Sequence, residues 1–339
     1  MSAVRKGSDA TALLEAVRQG DPLAIARAIT AIENLTAVGA ELALAVRDSC
    51  GLCRTLGVTG PPGAGKSSLI NALMTELLPR YPRIGVLTVD PSSPVSGGAV
   101  LGDRVRMAAH SANPNVFIRS LAARGHLGGV TRTTRAVIDL LAAGGMDLVV
   151  VETVGTGQSE VEVAGLTDVR IAVCAPGLGD EMQAIKAGIL EVADLLVVNK
   201  SDLPDADRTL AHLKSMLHHR GHEERRAALK VSTVTRDGLA MLVDAIVARF
   251  GEPAASRSTT IAGACHPRSA LADDVGDLTA ALVRDSADTR IDAIIADMAQ
   301  GVVSRRDGVM ATIHLLAGRD ARPEHESRAK ASEALSSAS

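Results

Sequence analysis

The sequence predicts an α/β fold, a doubly wound, mostly parallel sheet with helices on both faces, carrying helical extensions at both ends. Apolar, β-rich runs alternate with helically spaced segments between about residue 55 and residue 250, as consecutive strand–helix–strand units require. The composition agrees. Of the 339 residues 46% are hydrophobic but only 1% aromatic, so the core must be packed from Val, Leu, Ile and Ala, the residues of a sheet buried on both faces. A glycine-rich turn joining the first strand to the next helix is the third observation. The length suffices for one good core with appended elements, or for two small cores.

The elements can be justified in order. Residues from about 9 to 49 carry helical spacing: Leu13, Leu14 and Val17 lead to Gly20 as a C-terminal cap, and Asp21-Pro22 starts a second helix with Ile25, Ile29 and Ile32 on one face. Strands are predicted at 56–59, 84–90, 116–119, 148–152, 169–174, 195–199 and 229–232, and helices at 66–78, 131–143, 181–192, 206–218 and 238–249. From about Gly251 the stretch GEPAASRSTTIAGACHPRSALADD reads as a connector. One or two helices follow, with Ile291, Ile294, Ile295 and Met298 at helical spacing, before the polar tail RPEHESRAKASEALSSAS. The expected organisation is a helical extension over 1–50, the main domain over 51–250, and linker, C-terminal helices and tail over 251–339.

The totals exclude several classes. A net charge of −3 without a long basic run argues against nucleic acid as a partner. Four cysteines make no disulfide framework and fit a reducing compartment. The N-terminus lacks a signal-type apolar core and no run reaches membrane-spanning length, so the chain reads as soluble and cytoplasmic, without a membrane partner.

The turn is Gly60-Pro61-Pro62-Gly63-Ala64-Gly65-Lys66-Ser67-Ser68, a complete GxxxxGK[ST] phosphate loop set between a strand and a helix. Its glycines let backbone N–H groups turn inward around a β-phosphate, and the positive end of the following helix faces the same anion. Lys66 should bridge β- and γ-phosphate oxygens, and the Ser67 hydroxyl should ligate Mg²⁺. The fold is therefore expected to be that of a P-loop NTPase.

Asn199-Lys200-Ser201-Asp202, at the end of an apolar strand, fits the NKxD loop that reads guanine. A carboxylate at Asp202 can accept from both N1–H and the exocyclic amine of guanine, whereas adenine would leave it unpaired. Ser232 and Thr233, in KVSTVTRDG, stand where GTPases place a weaker base-supporting loop, although Ser-Ala is the usual pair there.

Groups that sense a γ-phosphate come next. LVVVETVGTGQSE puts Glu152 at a strand end with Gly155 three residues on, Glu-x-x-Gly where most GTPases have Asp-x-x-Gly. Glu152 can hold Mg²⁺ directly or through water, and the Gly155 N–H can meet the γ-phosphate. Thr156 follows instead of a water-positioning Gln, which argues against Ras-like hydrolysis without assistance. Asp90, at the end of the second strand, is a candidate water-orienting or magnesium-linked carboxylate, or else a turn-capping Asp before Pro91; Asp103 is a second candidate.

Taken together, GVTGPPGAGKSSLI, VDPSSP…GGAVLGDRVRM, ARGHLGGVTRTTR, VVETVGTGQSEVEVA, PGLGDEMQAIKAGILEVADLLVVNKSD and AIARAITAIE resemble the MeaB/ArgK-type GTPases, G-protein chaperones of adenosylcobalamin-dependent acyl-CoA mutases. The resemblance covers roughly residues 12 to 250. It implies that Lys66 and Ser67 serve phosphate and magnesium, that Asp90, Asp103 and Glu152 are magnesium-linked and catalytic carboxylates, and that Asn199, Lys200 and Asp202 read guanine. It further implies that Asp180, Gln183 and Lys186 belong to a switch that passes nucleotide state to the mutase. The implied function is GTP hydrolysis to GDP that gates adenosylcobalamin loading and protects the mutase, in a homodimer formed through the C-terminal region. After Phe250 the chain departs from the family's charged, aromatic-rich arm.

Two other functions compete. Cys50-Gly-Leu-Cys53 is half of a tetrahedral zinc or nickel site, as a metallochaperone GTPase would want, or a pair of ordinary buried thiols. A nucleotide-responsive scaffold with little turnover would explain the missing Gln. His218, His219 and His222 read as charge at a helix end, and His126 as a loop residue or a partner contact. Arg119, Arg124, Arg132 and Arg135 either line a partner or nucleotide surface or are solvated charges.

Overall fold

The structure, a computed structural model, describes residues 2–47, 53–91, 110, 112–123, 129–153, 166–177, 193–219, 226–251, 267–300 and 302–316. Within them the order is α1 (Ser2–Arg18), α2 (Pro22–Glu33), α3 (Ala37–Ala45), β1 (Arg54–Thr59), α4 (Lys66–Leu77), β2 (Ile84–Pro91), β3 (Val116–Ala123), α5 (Gly129–Ala143), β4 (Leu148–Thr153), β5 (Val169–Cys174), β6 (Leu195–Val198), α6 (Ala206–His219), β7 (Ala227–Lys230), α7 (Leu239–Gly251), α8 (Pro267–Arg284), α9 (Thr289–Ala299) and α10 (Arg305–Leu316). The chain divides into two compact units, Met1–Asp274 and Val275–Ser339.

In the first unit seven strands form one sheet in the order β3-β2-β4-β1-β5-β6-β7, and every pairing is parallel. Strand β1 divides those added on one side, β2 to β4, from those added on the other, β5 to β7. Ligands in open parallel sheets bind outside the carboxyl ends at such a reversal. The phosphate loop leaves β1 at that end.

Both faces of the sheet are buried, which is why LVVV in β4 reads as a continuous apolar run. Leu148 and Val150 face α4 and α7, packing with Leu69, Leu73, Leu242 and Ile246. Val149 and Val151 face α5 and the N-terminal helices, among Leu141, Ile25, Ile29 and Leu42. Helix α6 covers Leu196 and Val198 through Leu213 and Leu217. The N-terminal helices are thus part of the wall over β2–β4. Where Tyr81 meets Phe250, their rings make an edge-to-face contact with centroids 5.9 Å apart at 75°.

The predicted caps and strands find clear counterparts. Gly20 takes φ +77° after α1, and Asp21 caps α2 by accepting from the Leu23 N–H at 2.9 Å. A third N-terminal helix, α3, was not distinguished from the sequence; Thr36 caps it by accepting from the Gly39 N–H at 3.0 Å. Gly39 lets α3 cross α2, since a Cβ there would stand 2.1 Å from the Ala31 carbonyl oxygen. Strand β7 lies two residues before its predicted place, because β6 stops at Val198 and pairing stops with it at Lys230. The predicted helix over 181–192 lies outside the described residues.

At the amino ends of β5 and β6, Arg170 and Asp194 form a buried, two-point ion pair: Nε to Oδ2 at 2.9 Å and Nη2 to Oδ1 at 3.1 Å. In the second unit α9 and α10 cross at Gly308, where a Cβ would press on the Met298 sulfur. Among the described residues no single helix is long and apolar enough to cross a membrane.

Candidate functional site

The carboxyl end of β1 positions the phosphate loop through backbone that only glycine suits. Gly60 has φ +141°, and a Cβ there would lie 2.1 Å from the Val173 carbonyl oxygen of β5. Gly65 has φ +87° just before α4, and its Cβ would lie 2.4 Å from Asn199 Nδ2. The loop and the β6–α6 connection are therefore packed backbone to side chain. Lys66 is only 6% exposed. Its Nζ donates to the carbonyls of Gly60 (2.7 Å) and Pro61 (3.0 Å), which holds the ammonium over the loop.

Strand β4 carries Glu152 to the same end of the sheet, opposite Val58 of β1. Glu152 is 2% exposed, and its Oε1 accepts from the Ser67 hydroxyl at 2.8 Å. Two hard oxygen donors thus meet beside the amino end of α4. Such a set fits Mg²⁺, which binds through one or two carboxylates together with phosphate oxygens. Among the described residues no three His, Cys, Asp or Glu side chains gather into a metal cluster. The phosphates would supply the remaining ligands.

The segment Asn199-Lys200-Ser201-Asp202, expected to read the base, follows β6. The Asn199 N–H donates to the Cys174 carbonyl at 2.8 Å, and its Nδ2 donates to the carbonyls of Ala64 (3.0 Å) and Gly65 (3.3 Å). Lys200 adopts φ +57°, an uncommon value for a side-chain-bearing residue, and its Nζ donates to the Gly63 carbonyl at 2.8 Å. Both residues clamp the phosphate loop. The exposed Asp202 has its Oδ1 fixed by the Ser232 hydroxyl at 2.5 Å. Ser232 is buried, and its oxygen accepts from the N–H groups of Val234 (3.2 Å) and Thr235 (3.1 Å). The second loop therefore acts on the carboxylate and orients it. Thr233 lies half-buried beside Ser232, while Pro61 and Ala64 are buried and Pro62, Gly63 and Ser68 exposed along the loop.

The structure thus brings Gly60 to Ser68, Glu152, Asn199, Lys200, Asp202 and Ser232 to one end of the sheet. Asp90 lies in β2 opposite Ala122 of β3, its side chain outside the description. Asp103, Gly155, Asp180, Gln183 and Lys186 fall outside the described residues, as do Cys50, Arg124 and His126.

Cys53 is buried among apolar side chains of α1, α2 and α5. The thiol of Cys174, also buried, has its pKa pushed up to about 12 by desolvation and stays protonated at neutral pH. Arg119 is resolved: it pairs with Glu33 of α2 at 2.8 Å, so it belongs to the seam between β3 and the N-terminal helices. Glu33 was not singled out from the sequence, although it closes the quoted segment AIARAITAIE.

This loop, carboxylate and base reader on a wholly parallel sheet define a P-loop NTPase of the GTPase type. Residues 25–266 match the family described as methylmalonyl Co-A mutase-associated GTPase MeaB. The chain belongs to that family. A relative from Pyrococcus abyssi named as a GTPase is 46% identical over 205 residues, covering 60% of this chain and 63% of its own length. The mitochondrial methylmalonic aciduria type A homolog of Mus musculus is 41% identical over 216 residues, 60% of this chain and 52% of its own. The chain thus covers less than two thirds of the length of these relatives. A crystal structure described as an LAO/AO transport system kinase is similar with a TM-score of 0.59 and 26% identity, over 91% of this chain and 98% of that one.

Proposed function

We propose that this protein binds GTP with Mg²⁺, hydrolyses it to GDP and phosphate, and uses the nucleotide state to gate adenosylcobalamin loading and protection of an acyl-CoA mutase. One observation carries the nucleotide reading: Asn199 and Lys200 hold the phosphate loop while the neighbouring Asp202 is oriented by Ser232. A base reader bonded to a phosphate cradle suits one mononucleotide, and the acceptor at Asp202 selects guanine. Lys66 would hold the β- and γ-phosphates, and Ser67 and Glu152 would hold the magnesium, which neutralises phosphate charge. Asp90, with Asp103, would orient the attacking water or stand as a magnesium-linked carboxylate, and the Gly155 N–H would meet the γ-phosphate. Asp180, Gln183 and Lys186 carry the state to the mutase. The family's description, which names methylmalonyl Co-A mutase, supports that partner class. The chain works in the cytoplasm as a homodimer.

The test is phosphate release from GTP and from ATP with Mg²⁺, with and without an adenosylcobalamin-dependent mutase. Slow GTP turnover, faster with the mutase, is expected. Equal use of ATP would overturn the guanine assignment, and failure of the mutase to accelerate single-turnover GTP decay would overturn the gate. Lys186→Ala should spare GTP binding and weaken the stimulated rate.

A further inference from the structure

Besides the apolar packing of α1–α3 on β2 and β4, one half-buried polar cluster joins the N-terminal helices to the strands that carry the site. Glu33, the last residue of α2, places its carboxylate against the edge strand β3. Its Oε2 pairs with Arg119 Nη2 at 2.8 Å, and its Oε1 accepts from the Ala122 N–H at 3.4 Å. The same Nη2 donates to Thr30 Oγ1 at 3.1 Å, one turn earlier on α2. The side chains of Arg119 and Glu33 are 26% and 12% exposed, so the charges are largely withdrawn from water. A half-buried charge-assisted pair of this kind holds its two elements in one relative position more firmly than an exposed pair.

What it holds is informative. Among the described residues strand β3 pairs only with β2, and its outer edge leaves the Ala122 N–H without a strand partner there. Across the ladder, Ala122 is the register partner of Asp90. Along the ladder, Thr88 stands between Ser120 of β3 and Glu152 of β4, and donates to the Ser120 hydroxyl at 2.8 Å. The Glu33 carboxylate therefore anchors the end of β3 whose Ala122 stands in register with Asp90 of β2.

We propose that Glu33, through Arg119 and the Ala122 amide, is a positioning residue for GTP hydrolysis: it sets the carboxyl ends of β3 and β2, and with them Asp90. This rests on the hydrolysis reading above. Glu33→Ala and Arg119→Ala should each lower kcat about tenfold, because small displacements at a reacting centre are expensive. KM for GTP and affinity for GDP should stay within about twofold, since the phosphate loop and Asp202 are held by other bonds. The exchanged pair Glu33→Arg/Arg119→Glu should recover part of the lost kcat. Ile25→Val, which loosens the same helix without touching the cluster, serves as the control for mere destabilisation.

Hydrogen–deuterium exchange on the full chain separates this proposal from the reading beneath it. Faster exchange is expected in the peptides covering 84–91 and 116–123 of Glu33→Ala, with the phosphate loop unchanged. If wild type does not hydrolyse GTP, the hydrolysis reading fails and the exchange result alone decides whether Glu33 anchors these ends; unchanged exchange there would reject the anchor. With an active wild type, an unaltered kcat in Glu33→Ala would overturn the proposal. So would an equal loss of kcat in Ile25→Val.

Discussion

Ser232 and Asp202 show how a short polar contact fixes the direction of a carboxylate. The hydroxyl donates to one carboxylate oxygen and is itself held by two backbone N–H groups, so the carboxylate proposed to read the base has a fixed direction. Asp202→Asn should lower GTP affinity at least about 100-fold and favour xanthosine triphosphate, whose carbonyl can accept from the new amide. Competition binding with the two nucleotides reads this directly, and an unchanged preference would remove Asp202 from the base site. Cys174 makes a second residue-scale prediction. Its pKa is raised from 9.0 to about 12 by burial, so the stability it contributes is fully present below about pH 9 and lost as pH rises towards 12. Cys174→Ala should flatten the fall of the denaturation midpoint over that interval. In the native protein at pH 8, the Cys174 thiol should resist iodoacetamide.

Among the elements, the strands were the most legible. A parallel sheet buried on both faces demands unbroken apolar runs, and β4 and β5 are read from their residues alone. The end of β7 was not legible, because an edge strand stops where its neighbour stops, and that information lies in β6 rather than in KVST. Helix α3 escaped for a related reason: Gly39 looks like a helix breaker until α2 is seen to pass against it. Gly39→Ala should therefore lower the urea midpoint, through backbone collision, while leaving nucleotide affinity unaltered. The phosphate-loop motif and NKSD were legible as separate sites, but not the bonds from Asn199 and Lys200 that join them. Those bonds depend on β1, β5 and β6 being neighbours. At the opposite end of the same strands, Asp194→Ala would strand the Arg170 guanidinium beside a vacated partner and cost about 3–5 kcal/mol in denaturant unfolding.

For the whole molecule, one sheet end gathers the residues proposed to hold the nucleotide, and α1–α3 brace the half of the sheet that carries Asp90 and Glu152. A partner that moved the N-terminal helices would thereby act on the carboxylates without approaching the nucleotide. Sedimentation at micromolar protein should report twice the 34.9 kDa chain mass if the homodimer forms, and a monomer at every concentration would reject it.

The aliphatic core also has an optical consequence. Without tryptophan, and with Tyr81 as the lone tyrosine, seated edge-on to Phe250, the folded chain is nearly dark in the near ultraviolet. A single tryptophan introduced at exposed Leu203, next to Asp202, would be the dominant fluorophore in the protein. Exchange of unlabelled nucleotides could then be followed by the emission of that tryptophan, with no label on the base.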